Sequence, residues 1–255
     1  MNSNSFRLAL LALLCLPQLY LNAGPKDPAP KTARAEGSLE LLMAGNSRFE
    51  GDRARHPDQT MSRRKEIAGK QEPFAIVLTC ADSRLSPEIY FDQGLGDLFV
   101  IRNAGNVLND HVIGSMEYAV DHLNVPLIMV IGHERCGAVS AAVAGGHAPG
   151  HIAEIVASIT PAVKATVEQE GDKVNNTVIA HAQMTAATLR SCGPIIAEAV
   201  KTGKVKVVAA RYDLDSGRVE ILPELAPAHG AHAADADEAK PASPAHPAHG
   251  AAHAH

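Results

Sequence analysis

The chain has no excess of basic residues: 23 Lys and Arg stand against 28 Asp and Glu, for a formal net charge of −5 over 255 residues. Polyanion binding needs a basic face, so nucleic acid is not an expected partner, and small or neutral molecules fit better. No long charged block interrupts the sequence. No apolar run is long enough to span a bilayer either: the longest, Leu8 to Leu16, falls short of the ~20 residues a membrane helix needs and is broken by Pro17 and Gln18. Cysteine is scarce, at four residues, and tryptophan is absent. Hydrophobic residues make up 46% of the chain, enough at this length for one substantial core.

The N-terminus reads as a targeting segment. A polar start, Arg7, the apolar run from Leu8 and the small Ala23 form the pattern of a secretory signal peptide over residues 1–23. Export to a periplasm-like compartment is the localisation this implies. A lipid-attached Cys15 is the weaker alternative, because Leu14 is larger than the small residue such sites want. Removal of Cys15 would leave Cys80, Cys136 and Cys192 in an oxidising setting. An odd number of thiols is awkward there unless metal holds some of them. Cys192 is expected to be a small buried residue near a helix end.

Residues 24–35, rich in Pro, Ala and Lys, are expected to form a flexible leader, followed by a folded unit over 36–222. Leu39, Leu42, Met43 and Phe49 predict an amphipathic helix from Glu36 to Glu50, and Asp52 to Lys70 reads as a polar stretch. Short apolar runs at Phe74–Thr79, Leu98–Ile101 and Pro126–Ile131 predict strands, and the periodicity of Val112–Leu123 predicts a helix between the last two. Further helices are predicted at Cys136–Ala144, Ile152–Glu168, Thr177–Leu189 and Pro194–Lys201. Lys204–Tyr212 and Arg218–Leu222 then form a terminal hairpin turned at Asp215-Ser216-Gly217. Strands alternating with helices mean an α/β fold with a mostly parallel sheet. Residues 223–255 turn to Ala, Pro, Gly, His and Asp, a composition that cannot bury a core and reads as disordered. Six of the thirteen histidines fall there, at 229, 232, 246, 249, 253 and 255, but no spacing among them repeats well enough to define one site.

The chemistry concentrates in two stretches. Cys80-Ala81-Asp82-Ser83-Arg84 follows the first apolar run, and His133-Glu134-Arg135-Cys136 follows the third. Each therefore emerges at a strand end, where α/β sheets place ligand sites. Two thiolates and one imidazole form a three-ligand zinc set with the fourth position open, the pattern of a catalytic zinc. Taken singly, each ligand has an ordinary explanation as a core residue. A Cys80–Cys136 disulfide is the sharper rival, but it leaves His133, Asp82 and Arg84 without a task. Zinc lowers the pKa of bound water enough to present hydroxide near neutral pH. Asp82, as a carboxylate, can only accept a hydrogen bond and so can orient that hydroxide, while Arg84 keeps Asp82 ionised.

Cys80-x-Asp82-x-Arg84 followed by His133-x-x-Cys136 resembles the signature of the β-class carbonic anhydrases. The resemblance runs through Phe99-Val100-Ile101-Arg102-Asn103-Ala104-Gly105-Asn106, Met116-Glu117-Tyr118-Ala119-Val120 and Arg211-Tyr212-Asp213-Leu214, spanning roughly Glu36 to Leu222. It implies zinc on Cys80, His133 and Cys136, an Asp82–Arg84 dyad beside the fourth ligand, and a carbon dioxide pocket lined by Gln71, Phe99, Ala104 and Tyr118. It also implies a parallel sheet, reversible hydration of carbon dioxide to bicarbonate, and a homodimer or homotetramer with pockets at the subunit interface. In a closed form of such sites Asp82 becomes the fourth ligand. Without tryptophan, a bicarbonate-regulatory pocket built around that residue cannot exist in the same form. A zinc enzyme acting on carbonyl sulfide or carbon disulfide, or a non-catalytic exported zinc-binding protein, are the competing readings. His111, after the Asn106–Asp110 loop, is a candidate proton shuttle by its titration range.

Overall fold

The computed structural model describes residues 31–225, so the signal-peptide reading, all of the leader before Lys31 and the tail reading beyond Leu225 lie outside the described residues. The described chain runs α1 (Lys31–Glu50), α2 (Met61–Glu66), a short 3-10 turn, β1 (Ala75–Cys80), α3 (Pro87–Tyr90), β2 (Leu98–Asn103), a second 3-10 turn (Ala104–Asn106) and α4 (Asp110–Asp121). It continues through β3 (Leu127–His133), α5 (Gly137–Ala144), α6 (Ile152–Ala165), α7 (Lys173–Arg190), α8 (Pro194–Lys201), β4 (Lys206–Tyr212) and β5 (Val219–Ile221). The five strands form one sheet in the order β2-β1-β3-β4-β5. Every pairing is parallel except the terminal β4–β5 pair, as the alternation of strands and helices predicts. No helix among the described residues is long and apolar enough to cross a membrane.

Strand residues alternate between two cores, because successive side chains point to opposite faces of a sheet. Ala75, Val77, Leu127, Met129, Ile131, Val208 and Ala210 pack on one face with Leu42 of α1, Tyr90 and Phe91, Val139 of α5 and Ile159 of α6. Ile76, Leu78, Ile128, Val130, Val207 and Ala209 pack on the other with Met116 of α4, Ala182 and Ala186 of α7, and Ile196 of α8. Burial on both faces is what unbroken apolar runs in parallel strands signify. Local signals set the helix starts. Asn109 caps α4 by accepting from the Val112 amide at 3.0 Å, and Asp172 caps α7 by accepting from the amides of Val174 and Asn175.

Three expectations need correction. The first helix begins at Lys31, so the last five residues of the expected leader are helical; Ala35 is buried and Glu36 pairs with Lys206 Nζ at 2.8 Å, which ties this turn to β4. The polar stretch from Asp52 to Lys70 contains α2, started by Thr60 accepting from the Arg63 amide, an exposed capped helix with no apolar periodicity to reveal it. Cys192 is half-buried in the turn between α7 and α8 rather than buried.

Asn46 locks α1 onto the body of the domain. It is 2% exposed, donates from Nδ2 to the carbonyls of Tyr90 and Gly217 at 3.0 and 2.8 Å, and accepts from the Val219 amide at 2.8 Å. Loss of a buried side chain leaves its former partners unsatisfied at about 1–3 kcal/mol each where water cannot replace it. Asn46→Ala should therefore lower stability by roughly 3 kcal/mol, a fall in Tm on the order of 6–12 °C for a domain of this size. A loss within about 0.5 kcal/mol, the usual surface value, in thermal or urea denaturation would contradict this docking.

Candidate metal centre

β1 and β3 are parallel neighbours, paired from Ile76↔Ile128 to Thr79↔Ile131, so Cys80 and His133 end the two strands side by side. Cys136 joins them as the residue that starts α5. The chain reaches it through Arg135, which adopts a left-handed conformation with φ of 50°. Gly132, just before His133, leaves room for α7: a Cβ there would lie 2.8 Å from Val178 Cγ1. The three side chains are 5%, 0% and 1% exposed, and their potential ligand atoms all lie within 4.8 Å of one another. Cys80 and Cys136 are free thiols, so the disulfide alternative is not what the structure adopts.

The donor set fits a metal ion on a specific observation. His133 Nδ1 lies 2.9 Å from the Glu134 carbonyl, which can only accept, so Nδ1 carries a proton and, in the neutral imidazole a metal binds, Nε2 holds the lone pair. That Nε2 is fully buried and has no hydrogen-bond partner among the described residues. A buried acceptor without a partner is costly unless something else satisfies it. Here it sits among two sulfurs, and a soft cation would satisfy all three atoms together.

Donors surround the sulfurs. Cys80 Sγ accepts from the Gly105 amide at 3.3 Å. Its thiol is held well below the ordinary range, first by donation from Cys136, with smaller help from the amides of Gly105 and Asp82, against the opposing effect of burial. Cys136 is raised by the same sulfur–sulfur contact, because the pair shares one proton, and by burial; the amides of Val139 and Ala138 at the start of α5 act in the opposite direction. The loop is braced from outside. Arg211 Nη1 donates to Glu134 at 2.8 Å, Arg135 makes a two-point pair with Asp215, and Arg102 donates to the Asp82 carbonyl at 2.8 Å.

Asp82 and Arg84 form the expected pair. Asp82 Oδ1 accepts from the Arg84 backbone amide at 3.0 Å and from Nε at 2.9 Å, and Oδ2 accepts from Nη2 at 2.7 Å. These bonds hold the Asp82 carboxyl below the ordinary carboxylate range, with the Arg84 side chain the largest cause. The carboxylate is engaged by Arg84 and stands apart from the Cys80–His133–Cys136 cluster.

The pocket residues are not all brought together. Ala104 directly follows Asn103, whose strand partner is Cys80, and so lies at the centre. Phe99 pairs with Ile76, four residues before Cys80. Gln71 is exposed and precedes β1 altogether. A strand rises about 3.3 Å per residue, which separates Gln71 from its own Cys80 by on the order of 20 Å. Tyr118 is 46% exposed on α4 and stacks on His122 with ring centroids 5.0 Å apart. His111 is exposed on the first turn of α4, with no hydrogen bond to its ring among the described residues.

Sequence reading missed Gly105 as a donor to sulfur and Arg102 as a brace. Both lie in the run Phe99–Asn106 that carries the family resemblance, which was the one signal available. A mostly parallel sheet with a buried Cys–His–Cys cluster at the carboxyl ends of its strands defines an α/β protein with a candidate metal centre. Residues 75–219 match the carbonic anhydrase family. Over 183 residues the chain is 42% identical to carbonic anhydrase 2 of Mycobacterium tuberculosis, covering 70% of this chain and 88% of that protein. Over 190 residues it is 40% identical to a carbonic anhydrase of Mycolicibacterium smegmatis, covering 73% and 92%. A tetrameric β-carbonic anhydrase from Sordaria macrospora shares the fold, with a TM-score of 0.60 at 24% identity over 73% of this chain and 97% of that one. The chain belongs to the β-class carbonic anhydrase family and is an enzyme of that family.

The Asp82–Arg84 pair makes a pH-dependent contribution whose sign is fixed. A carboxyl whose pKa is depressed in the folded state stabilises the fold above its unfolded value, about 3.9, and that contribution is lost as pH falls through the lower folded value. In Arg84→Ala the Asp82 titration should move up toward the ordinary value, read from the carboxyl carbon in an NMR titration. A wild-type Asp82 that already titrates at the ordinary value would contradict the pairing.

Proposed function

We propose that this chain catalyses the reversible hydration of carbon dioxide to bicarbonate and a proton, with zinc held by Cys80, His133 and Cys136. The carrying observation is the buried, partnerless His133 Nε2 set among two sulfurs. Zinc, when bound, supplies the Lewis acidity that makes water a nucleophile near neutral pH. The protein's own groups do the remainder.

Asp82 is ionised at neutral pH and can only accept. Each carboxylate oxygen has about two acceptor directions. Arg84 fills both at Oδ1 and one at Oδ2. The remaining direction, on Oδ2, is the one we assign to the attacking water: it accepts a hydrogen bond from that water and so turns a lone pair toward carbon dioxide. Arg84 fixes the carboxylate in this pose and keeps it ionised. Its engagement of both oxygens favours a site in which Asp82 is an orienting group rather than a fourth ligand.

The substrate slot is completed by a second copy in this reading. Gln71, Phe99 and Tyr118 do not reach the cluster of their own chain. β2 lies at the sheet edge, and its apolar residues Leu98, Phe99, Val100 and Ile101 are all only partly buried. An edge strand with exposed apolar residues invites pairing. The tetrameric assembly of the Sordaria macrospora protein supports an oligomer here, dimer or tetramer. Export through a cleaved segment over 1–23 completes the proposal, supported by the charge and hydropathy pattern of that stretch.

Asp82→Ala should retain about one zinc per chain while hydration in stopped flow falls by about 10²-fold or more, the scale on which a lost positioning group acts. Full activity in that variant would refute the role of Asp82, and a wild-type protein without zinc or without hydration activity would refute the function.

A further inference from the structure

His181 lies on α7, outside every motif the sequence analysis singled out. Its ring is 6% exposed, a costly place for a titratable group without a partner. Nε2 lies 2.9 Å from the Gly105 carbonyl oxygen. A carbonyl only accepts, so Nε2 carries the proton. Burial lowers the pKa of the ring, so it is neutral with Nδ1 bare.

Gly105 is the residue whose amide donates to Cys80 Sγ. Its φ of 73° is a conformation open to glycine, and a Cβ would fall 2.9 Å from Ile159 Cδ1 and 3.1 Å from Ala138 Cβ. Glycine is thus required here, yet its backbone is the freest of any residue, and the hydrogen bond to sulfur depends on its orientation. Ile159 and Ala138 close one side. His181 holds the carbonyl.

We propose that His181 is a positioning residue for the metal centre: by anchoring the Gly105 carbonyl it aims the Gly105 amide at Cys80 Sγ and moderates the electron donation of that sulfur to the metal. The inference rests on Cys80 being a metal ligand. Partners one step removed from a metal typically change its affinity 10–100-fold when lost, and hydrogen bonds to thiolate sulfur tune what the sulfur donates. A histidine that merely satisfied a buried carbonyl would affect folding and leave the sulfur unchanged.

The test compares His181→Leu, which removes the donor, with His181→Gln, whose amide can donate to the same carbonyl. In competition with a chelator, His181→Leu should bind Zn²⁺ more weakly, by up to about 10-fold because it acts on the sulfur through Gly105, and His181→Gln should recover most of the loss. With Co²⁺ in place of Zn²⁺, the sulfur-to-metal charge-transfer band should move to longer wavelength in the Leu variant and stay in place in the Gln variant. With ¹¹³Cd in the unsubstituted protein, the Gly105 amide proton should show scalar coupling to the metal through sulfur, and the His181 ring should be the Nε2–H tautomer. Unchanged affinity and band position in the Leu variant would overturn the proposal. So would an uncoupled Gly105 amide in the unsubstituted protein, a result independent of whether either variant folds. Failure of the unsubstituted chain to take up Zn²⁺, Co²⁺ or Cd²⁺ would instead overturn the reading of Cys80, His133 and Cys136 as ligands.

Discussion

The parallel pairing of β1 with β3 is the constraint on which the centre depends. Because Thr79 pairs with Ile131, the two strands end together and carry Cys80 and His133 to one place despite the long stretch of chain between them. Slippage of either strand by one residue would turn its side chain of the cluster to the opposite face. The register is held by Val77, Met129 and Ile131 in one core and Leu78, Ile128 and Val130 in the other, all fully buried. Packing of ordinary apolar side chains therefore sets the positions of Cys80 and His133, and the start of α5 sets that of Cys136.

Around this frame the polar groups form connected braces. Glu134 is fixed by Arg211 from β4, Arg135 by Asp215 from the following turn, and the backbone at Asp82 by Arg102 from β2. Each brace crosses from a loop to a different strand or turn. A left-handed Arg135 is tolerable because its neighbours on both sides are anchored, a case of local strain sustained by surrounding structure. The Asp82–Arg84 pair differs. It is local in sequence, and Arg84 is half-exposed, so solvent screening keeps its contribution to the stability of the fold small.

Much of the architecture was legible because its signals are local. Apolar runs bounded by polar residues marked β1, β2 and β3 to within two residues, and Pro194 to Lys201 was marked to the residue. The short α2 was not legible, because an exposed helix of six residues with no apolar stripe leaves no periodicity to find. The helical turn at Lys31–Ala35 was hidden for another reason: it is held by contacts with β4, which a Pro- and Ala-rich leader does not advertise.

The sequence by itself determined which residues could serve as ligands, the alternation that makes the sheet mostly parallel, and the Asp82-x-Arg84 spacing that lets one side chain close on the other. These depend on residue type and short separation. The tertiary structure decided what depends on distant segments: that His133 Nε2 is left partnerless beside two sulfurs, that Gly105 donates to Cys80, and that His181 reaches Gly105. It also decided that Gln71, Phe99 and Tyr118 stand away from the metal cluster of their own chain. Side-chain chemistry is carried by the residue, but which atoms it meets is fixed only when strands pair and helices pack across them.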